Sequence, residues 1–120
     1  MIYFLDTYAF IELIKGNERY KQFINGNFRT TILNLYELYF NILKEFNERK
    51  AKEYFEKYYL SIIEIKKEQV FKAAKFKLEN KKNNLSYVDA LGYEISKFEN
   101  FKFLTGEKEF ENMPNIEFVR

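Results

Sequence analysis

The chain has 120 residues, 47% hydrophobic and 32% charged, with a net charge of +2 and a pI of about 8.6. That composition describes one globular domain, residues 1–120, which is neither disordered nor strongly basic. There is no cysteine and no histidine, which excludes disulfides, thiol nucleophiles, thiolate metal sites, most zinc chemistry and Ser-His or Cys-His catalysis.

Residues 2–5 are wholly apolar and suit a strand buried on both faces, as in a parallel sheet. Thr7 is placed to cap a helix carrying Phe10, Leu13 and Ile14 at helical spacing, which Gly16-Asn17 stops. Residues 18–24 read as a second short helix and 28–32 as a short strand. A strong helix follows over 34–46, with Leu35, Leu38, Ile42 and Phe46 in one stripe. Residues 47–59 continue as a helix with Ala51, Tyr54, Phe55 and Tyr58 on one face. A β-branched strand is expected over 61–65. The segment 67–80 is amphipathic, with Val70, Ala73, Ala74 and Leu78 facing inward, and 81–84 is a polar loop. Ser86 starts a further helix through Ala90, Leu91, Ile95 and Phe98. Residues 101–104 form a strand, Thr105-Gly106 a turn, and 116–119 a last strand after Pro114, the only proline. Strands alternating with helices or helix pairs give an α/β domain with a mostly parallel sheet.

Four acids fall where a strand ends or a helix begins: Asp6, Glu37, Asp89 and Glu107, with Glu109 close behind. In an open α/β sheet such positions gather in one crevice at the carboxyl ends of the strands. A carboxylate-lined crevice without His or Cys suits hard divalent cations. Each acid also has a purely structural reading. Asn34-x-x-Glu37 and Ser86-x-x-Asp89 both fit the capping box, Asp6 fits an N-cap, and Glu107 and Glu109 fit the first turn of a short helix. The two readings are compatible, because a carboxylate steadied at a helix start can still face a metal. If the acids converge, a pair at 4 Å repels by about 4 kcal/mol at an effective dielectric of ~20, which a divalent ion offsets.

The order of Asp6-Thr7, Asn34-Leu35-Tyr36-Glu37-Leu38, Ser86-Tyr87-Val88-Asp89-Ala90 and Leu104-Thr105-Gly106-Glu107-Lys108-Glu109-Phe110 resembles the PIN-domain ribonucleases. Length and opening look most like the VapC-type toxins of toxin–antitoxin pairs. The resemblance spans the whole chain and implies a small, doubly wound, three-layer α/β/α domain. It implies an endoribonuclease that uses Mg²⁺ or Mn²⁺, with Asp6, Glu37 and Asp89 matching the family's first three acids. Glu107 stands where the family usually has Asp, a departure that lengthens the side chain by one methylene. Glu109 stands near a further family acid. Thr7, Ser86 and Thr105 match polar residues that support the acids. By this resemblance a metal-activated water attacks the phosphodiester, and no protein nucleophile is needed.

Aromatic residues make up 20% of the chain, and many fall in the helix pair within 34–60. They exceed what a core of this size can bury, so part of that surface is expected to be an interface. In the resembled toxins such a helix pair receives the antitoxin, and the domain dimerises. Lys15, Arg19, Lys21 and Arg29 are the expected contacts to an RNA backbone. No stretch is long and apolar enough to span a membrane, and nothing resembles a signal peptide, so a cytoplasmic location is expected. The alternatives are a stand-alone RNA-processing PIN nuclease and a degenerate PIN-like binding module without catalysis. An Asp-x-Asp phosphatase is disfavoured because Tyr8 occupies the second acid's place, and a phosphorylated receiver because Asp6 stands alone at the end of the first strand.

Overall fold

Four parallel strands form the sheet at the centre of the computed structural model, which describes residues 1–23 and 25–120. Strands β1 (Ile2–Leu5), β2 (Asn27–Arg29), β3 (Lys102–Thr105) and β4 (Ile116–Phe118) lie in the order β2-β1-β3-β4. In the central β1, Phe4 pairs with Arg29 on one side and with Phe103 on the other. Successive side chains alternate between the sheet's faces. Leu5 and Leu104 enter one core, Phe4 and Phe103 the other, and all four are fully buried. Burial on both sides explains why residues 2–5 hold no polar member.

Helices α1 (Thr7–Ile14), α2 (Ile32–Glu45) and α3 (Glu48–Tyr58) cover the first face with Phe10, Leu35, Leu38, Ile42, Ala51 and Tyr58. Helices α4 (Lys67–Glu79) and α5 (Tyr87–Phe98) cover the second with Ala73, Leu91, Tyr93 and Ile95. The result is the expected doubly wound α/β/α sandwich. Among the described residues, no helix is long and apolar enough to cross a membrane.

Several boundaries differ from those the sequence predicts. Thr7 is the first residue of α1, not its cap; the cap is Asp6, whose Oδ1 accepts from the Ala9 amide at 2.9 Å. Gly16 does end this region, at φ +80°, where a side chain would be strained. The short helix after it is a 3₁₀ turn, Glu18–Phe23, and Ile24, its predicted end, lies outside the described residues. Strand β2 stops at Arg29 because Thr31 already caps α2, its hydroxyl accepting from the Asn34 amide. That early stop leaves the predicted strand at 61–65 little to pair with. Only the bridge between Ile62 and Thr30 forms, after a 3₁₀ turn at Tyr59–Ser61.

Phe46 leaves the α2 helix conformation (φ −129°, ψ −96°) and is exposed instead of completing the stripe. On α4, Ala73 faces inward as predicted, but Val70, Ala74 and Leu78 are exposed. Gln69 takes the core position. Its Oε1 accepts from the Lys66 amide and its Nε2 donates to Glu99 at 2.9 Å, so the buried amide is satisfied.

Candidate active site

The chain continues from β1 to β2 on one side, while β3 lies on the other. The carboxyl end between β1 and β3 is therefore the topological switch point, where open α/β sheets form a crevice. Asp6 directly follows β1, and Glu107 follows β3 after Gly106. Glu37 arrives in the second turn of α2 and Asp89 at the third residue of α5. A cavity of about 600 Å³ is lined by Thr7, Glu37, Ser86, Asp89 and Glu107, with Tyr8, Ile11, Tyr36, Phe40 and Asn41.

Asp6 does not line this cavity. It is 2% exposed, with Oδ1 on the Ala9 amide and Oδ2 accepting from the Thr105 hydroxyl. Thr105 Oγ1 accepts in turn from the Glu107 amide at 3.0 Å, so one buried hydroxyl ties the ends of β1 and β3 together. Asp89 sits in a complete capping box: its amide donates to Ser86 Oγ at 3.0 Å and its Oδ2 accepts from the Ser86 amide at 3.1 Å. Glu37 is in no such box. Its Oε1 accepts from the Thr7 hydroxyl at 2.6 Å, across 30 residues of sequence. Gly106 is required by space, since a methyl there would strike the Tyr8 ring and the Val119 carbonyl.

Together the acids disfavour one another's charge. Burial pushes Asp6 up to about 8, helped by the charges of Asp89 and Glu107 and opposed by its two hydrogen bonds. Burial, then Asp89 and Glu109, pushes Glu107 up to about 7. Burial also raises Glu37 and Asp89, with Asp89 adding to the shift at Glu37 and Glu109 to that at Asp89; the Thr7 and Ser86 hydrogen bonds act the other way. Lys77 at Asp89 and Arg120 at Glu107 oppose these shifts more weakly than burial raises them. A bound divalent cation would offset these shifts.

The donor set fits one. Every donor is a hard oxygen, as Mg²⁺ and Mn²⁺ require. Among the described residues, no three acids close into a compact metal-holding group.

Five of the eight residues singled out by sequence thus line one cavity, and Asp6 and Thr105 are buried at the adjoining strand ends. Glu109 is exposed in the 3₁₀ turn Lys108–Phe110 and reaches the group through its charge. The four basic residues expected to meet RNA do not line the cavity. Lys15 lines a neighbouring groove of about 540 Å³ with Ile11, Leu38 and Phe46. Arg19 donates to the Arg120 carbonyl, Lys21 pairs with Glu18, and Arg29 is held by Asn27 and the Phe28 carbonyl.

Sequence spacing makes Asn34 a cap, and its actual place is different. It is 2% exposed, accepts from Thr31 at 2.7 Å and donates to Thr7 at 3.2 Å. The signal that points to it is Thr31-x-x-Asn34, an earlier cap three residues ahead. Tyr36 and Phe40, flanking Glu37 on α2, belong to the aromatic set expected at an interface and also form part of the cavity wall.

Residues 3–116 match the PIN domain family. No curated protein is significantly similar in sequence. Among solved structures, Mycobacterium tuberculosis VapC20, a Sarcin-Ricin loop cleaving toxin, superposes with a TM-score of 0.82 at 15% identity, covering 98% of each chain. VapBC2 from Rickettsia felis, bound to a DNA fragment from its promoter, gives 0.75 at 20% identity, covering 99% of this chain and 98% of that one. A toxin–antitoxin complex from Klebsiella pneumoniae gives 0.73 at 18% identity, over 95% and 94%. At these identities the likeness is one of fold.

Proposed function

The chain belongs to the PIN domain family, and on that premise we propose that it is a metal-dependent endoribonuclease, the VapC-type toxin of a toxin–antitoxin pair. The observation that carries this reading is the meeting of Glu37, Asp89 and Glu107 in one cavity at the switch point, with Asp6 buried at the end of β1, all four carboxyls pushed up in pKa. Asp6, Glu37, Asp89 and Glu107 would hold Mg²⁺ or Mn²⁺, with Glu109 in support. Once bound, such an ion supplies an activated water and neutralises charge on a phosphodiester. The chain's own share is to hold the acids at fixed angles. Thr7 does this for Glu37, Ser86 for Asp89, and Thr105 for Asp6 and the Glu107 backbone.

Two apolar surfaces suit two protein partners. Tyr36, Phe40, Leu43, Phe46, Tyr59 and Leu60 leave much of α2 and the turn after α3 apolar and exposed, Leu60 at 95%. This surface, with the groove beside Lys15, is assigned to an antitoxin. Val70, Phe71 and Leu78 of α4, with Tyr87 at the start of α5, form a second exposed surface, assigned to a second copy of the chain. Burial of such side chains is worth about 1.5–3 kcal/mol each.

The test is cleavage of a mixed tRNA and rRNA pool by purified, antitoxin-free protein in Mg²⁺, Mn²⁺ or EDTA, beside Asp6→Asn and Asp89→Asn. Cuts that need metal and vanish in both variants are expected. A folded wild type that cuts nothing in either metal would contradict the nuclease reading and favour a binding module.

A further inference from the structure

Thr31, Asn34, Thr7 and Glu37 form one chain of hydrogen bonds that runs in a single direction. A backbone amide can only donate. The Asn34 amide donates to Thr31 Oγ1 at 3.3 Å, so the Thr31 hydroxyl is an acceptor there and its own proton is free. That proton goes to Asn34 Oδ1 at 2.7 Å. The Asn34 amide group is thereby oriented, with Nδ2 towards Thr7 Oγ1 at 3.2 Å. Nδ2 carries protons only, so Thr7 must accept from it. A hydroxyl has one proton, and Thr7 has Glu37 Oε1 at 2.6 Å to receive it. Thr31 and Asn34 are buried, at 1% and 2% exposure, so water does not compete for these positions.

We propose that Asn34 is a positioning residue that holds the Thr7 hydroxyl aimed at Glu37, pinning one carboxylate oxygen and leaving the other for the ligand. The metal-binding role of Glu37 in this account rests on the function proposed above; the relay itself rests on the geometry. Without Asn34, Thr7 could turn its proton elsewhere or rotate, and Glu37 would lose its fixed orientation. Groups that orient metal ligands commonly govern metal affinity by about 10–100-fold. Asn34 acts through Thr7, so its effect must depend on Thr7 being present.

The experiment is a double-mutant cycle with Asn34→Leu and Thr7→Val, which keep approximate volume and remove the polar groups. Two quantities are read: Mn²⁺ affinity, and the ¹³C resonance of the Glu37 carboxyl in metal-free protein. Thr7→Val is expected to weaken Mn²⁺ binding about tenfold and Asn34→Leu by a smaller factor, about threefold. The double variant should match Thr7→Val alone. The Glu37 resonance should follow the same pattern, moving with either substitution and no further with both. The proposal is overturned if Asn34→Leu leaves the resonance at its wild-type position. It is equally overturned if Asn34→Leu moves the resonance by the same amount in the wild-type and Thr7→Val backgrounds, as a general disturbance of α2 would. Wild type with no Mn²⁺ affinity would sink the metal reading alone, and the metal-free resonance would still decide the relay. Asn34→Ala, read the same way, serves if the leucine variant does not fold.

Discussion

Glu37 and Asp89 line one cavity but are held by opposite means. Asp89 is held by its own helix: Ser86, three residues earlier, takes both of its hydrogen bonds in a capping box. Glu37 is held from another element, by Thr7 at the start of α1. A local hold also caps the helix that carries it, so it contributes to folding whether or not a ligand binds. A hold between elements instead depends on how two helices are packed. The two halves of the site should therefore respond differently to equivalent damage.

The largest effect should erase that difference. Asp89→Asn and Glu37→Gln each remove an acid itself and are expected to lower cleavage by more than about a hundredfold, above the usual loss for a supporting residue. Single-turnover rates on one defined RNA measure this. If either variant keeps most of its activity, that acid does not belong to the reacting group.

The next pair separates the two means of holding. Thr7→Val should cut the cleavage rate by about 10–100-fold. Ser86→Ala should lose about 1 kcal/mol of stability through the N-cap, seen in denaturant unfolding, with the smaller loss of rate. The reverse ranking would mean that Thr7 serves the fold and Ser86 the chemistry.

A third expectation concerns pH. Unfolded carboxyls titrate near 4, while Asp6 is raised to about 8 and Glu107 to about 7 in the metal-free fold. Between about pH 4 and 8 the folded state therefore holds protons that the unfolded chain has lost, so stability falls as pH rises through this window. It should be insensitive to these groups below about pH 4. Melting temperatures in EDTA from pH 5 to about 8.5 should decline, Asp6→Asn should flatten the decline, and Mg²⁺ should raise the values most at high pH. A metal-free protein growing more stable over this range would contradict the buried, repelling acids.

The smallest effect expected is that of Glu107→Asp. It shortens the side chain by one methylene at a position whose backbone is already fixed by Thr105, and should alter the rate by no more than about tenfold, below the loss of a ligand.

The same contrast explains what was legible in the sequence. Ser86-x-x-Asp89 is readable because both partners lie within one turn. Asn34-x-x-Glu37 has the same spacing and is not a capping box, because Thr31 begins α2 earlier and frees Asn34 for Thr7. Local spacing cannot register a partner 27 residues away. The apolar run 2–5 betrays a doubly covered strand, since burial on both faces permits no polar residue. The run at 61–65 has equal β propensity but forms only a bridge, because pairing depends on where β2 stops. On α4 the periodicity suggests an inward Val70 and Leu78, whereas the fold buries Gln69, whose amide finds partners in Lys66 and Glu99. In each case the miss lies in a contact between elements distant in sequence.

On the proposed function, Asp89, held by its own helix, and Glu37 and Asp6, held across the fold, meet at one cation. Anomalous diffraction from crystals grown with Mn²⁺ tests it most directly. A peak is expected in the cavity bounded by carboxylates of both Glu37 and Asp89, at the end of β1 near Asp6. A peak that engages only one of the two, or none within the cavity at saturating Mn²⁺, would contradict it.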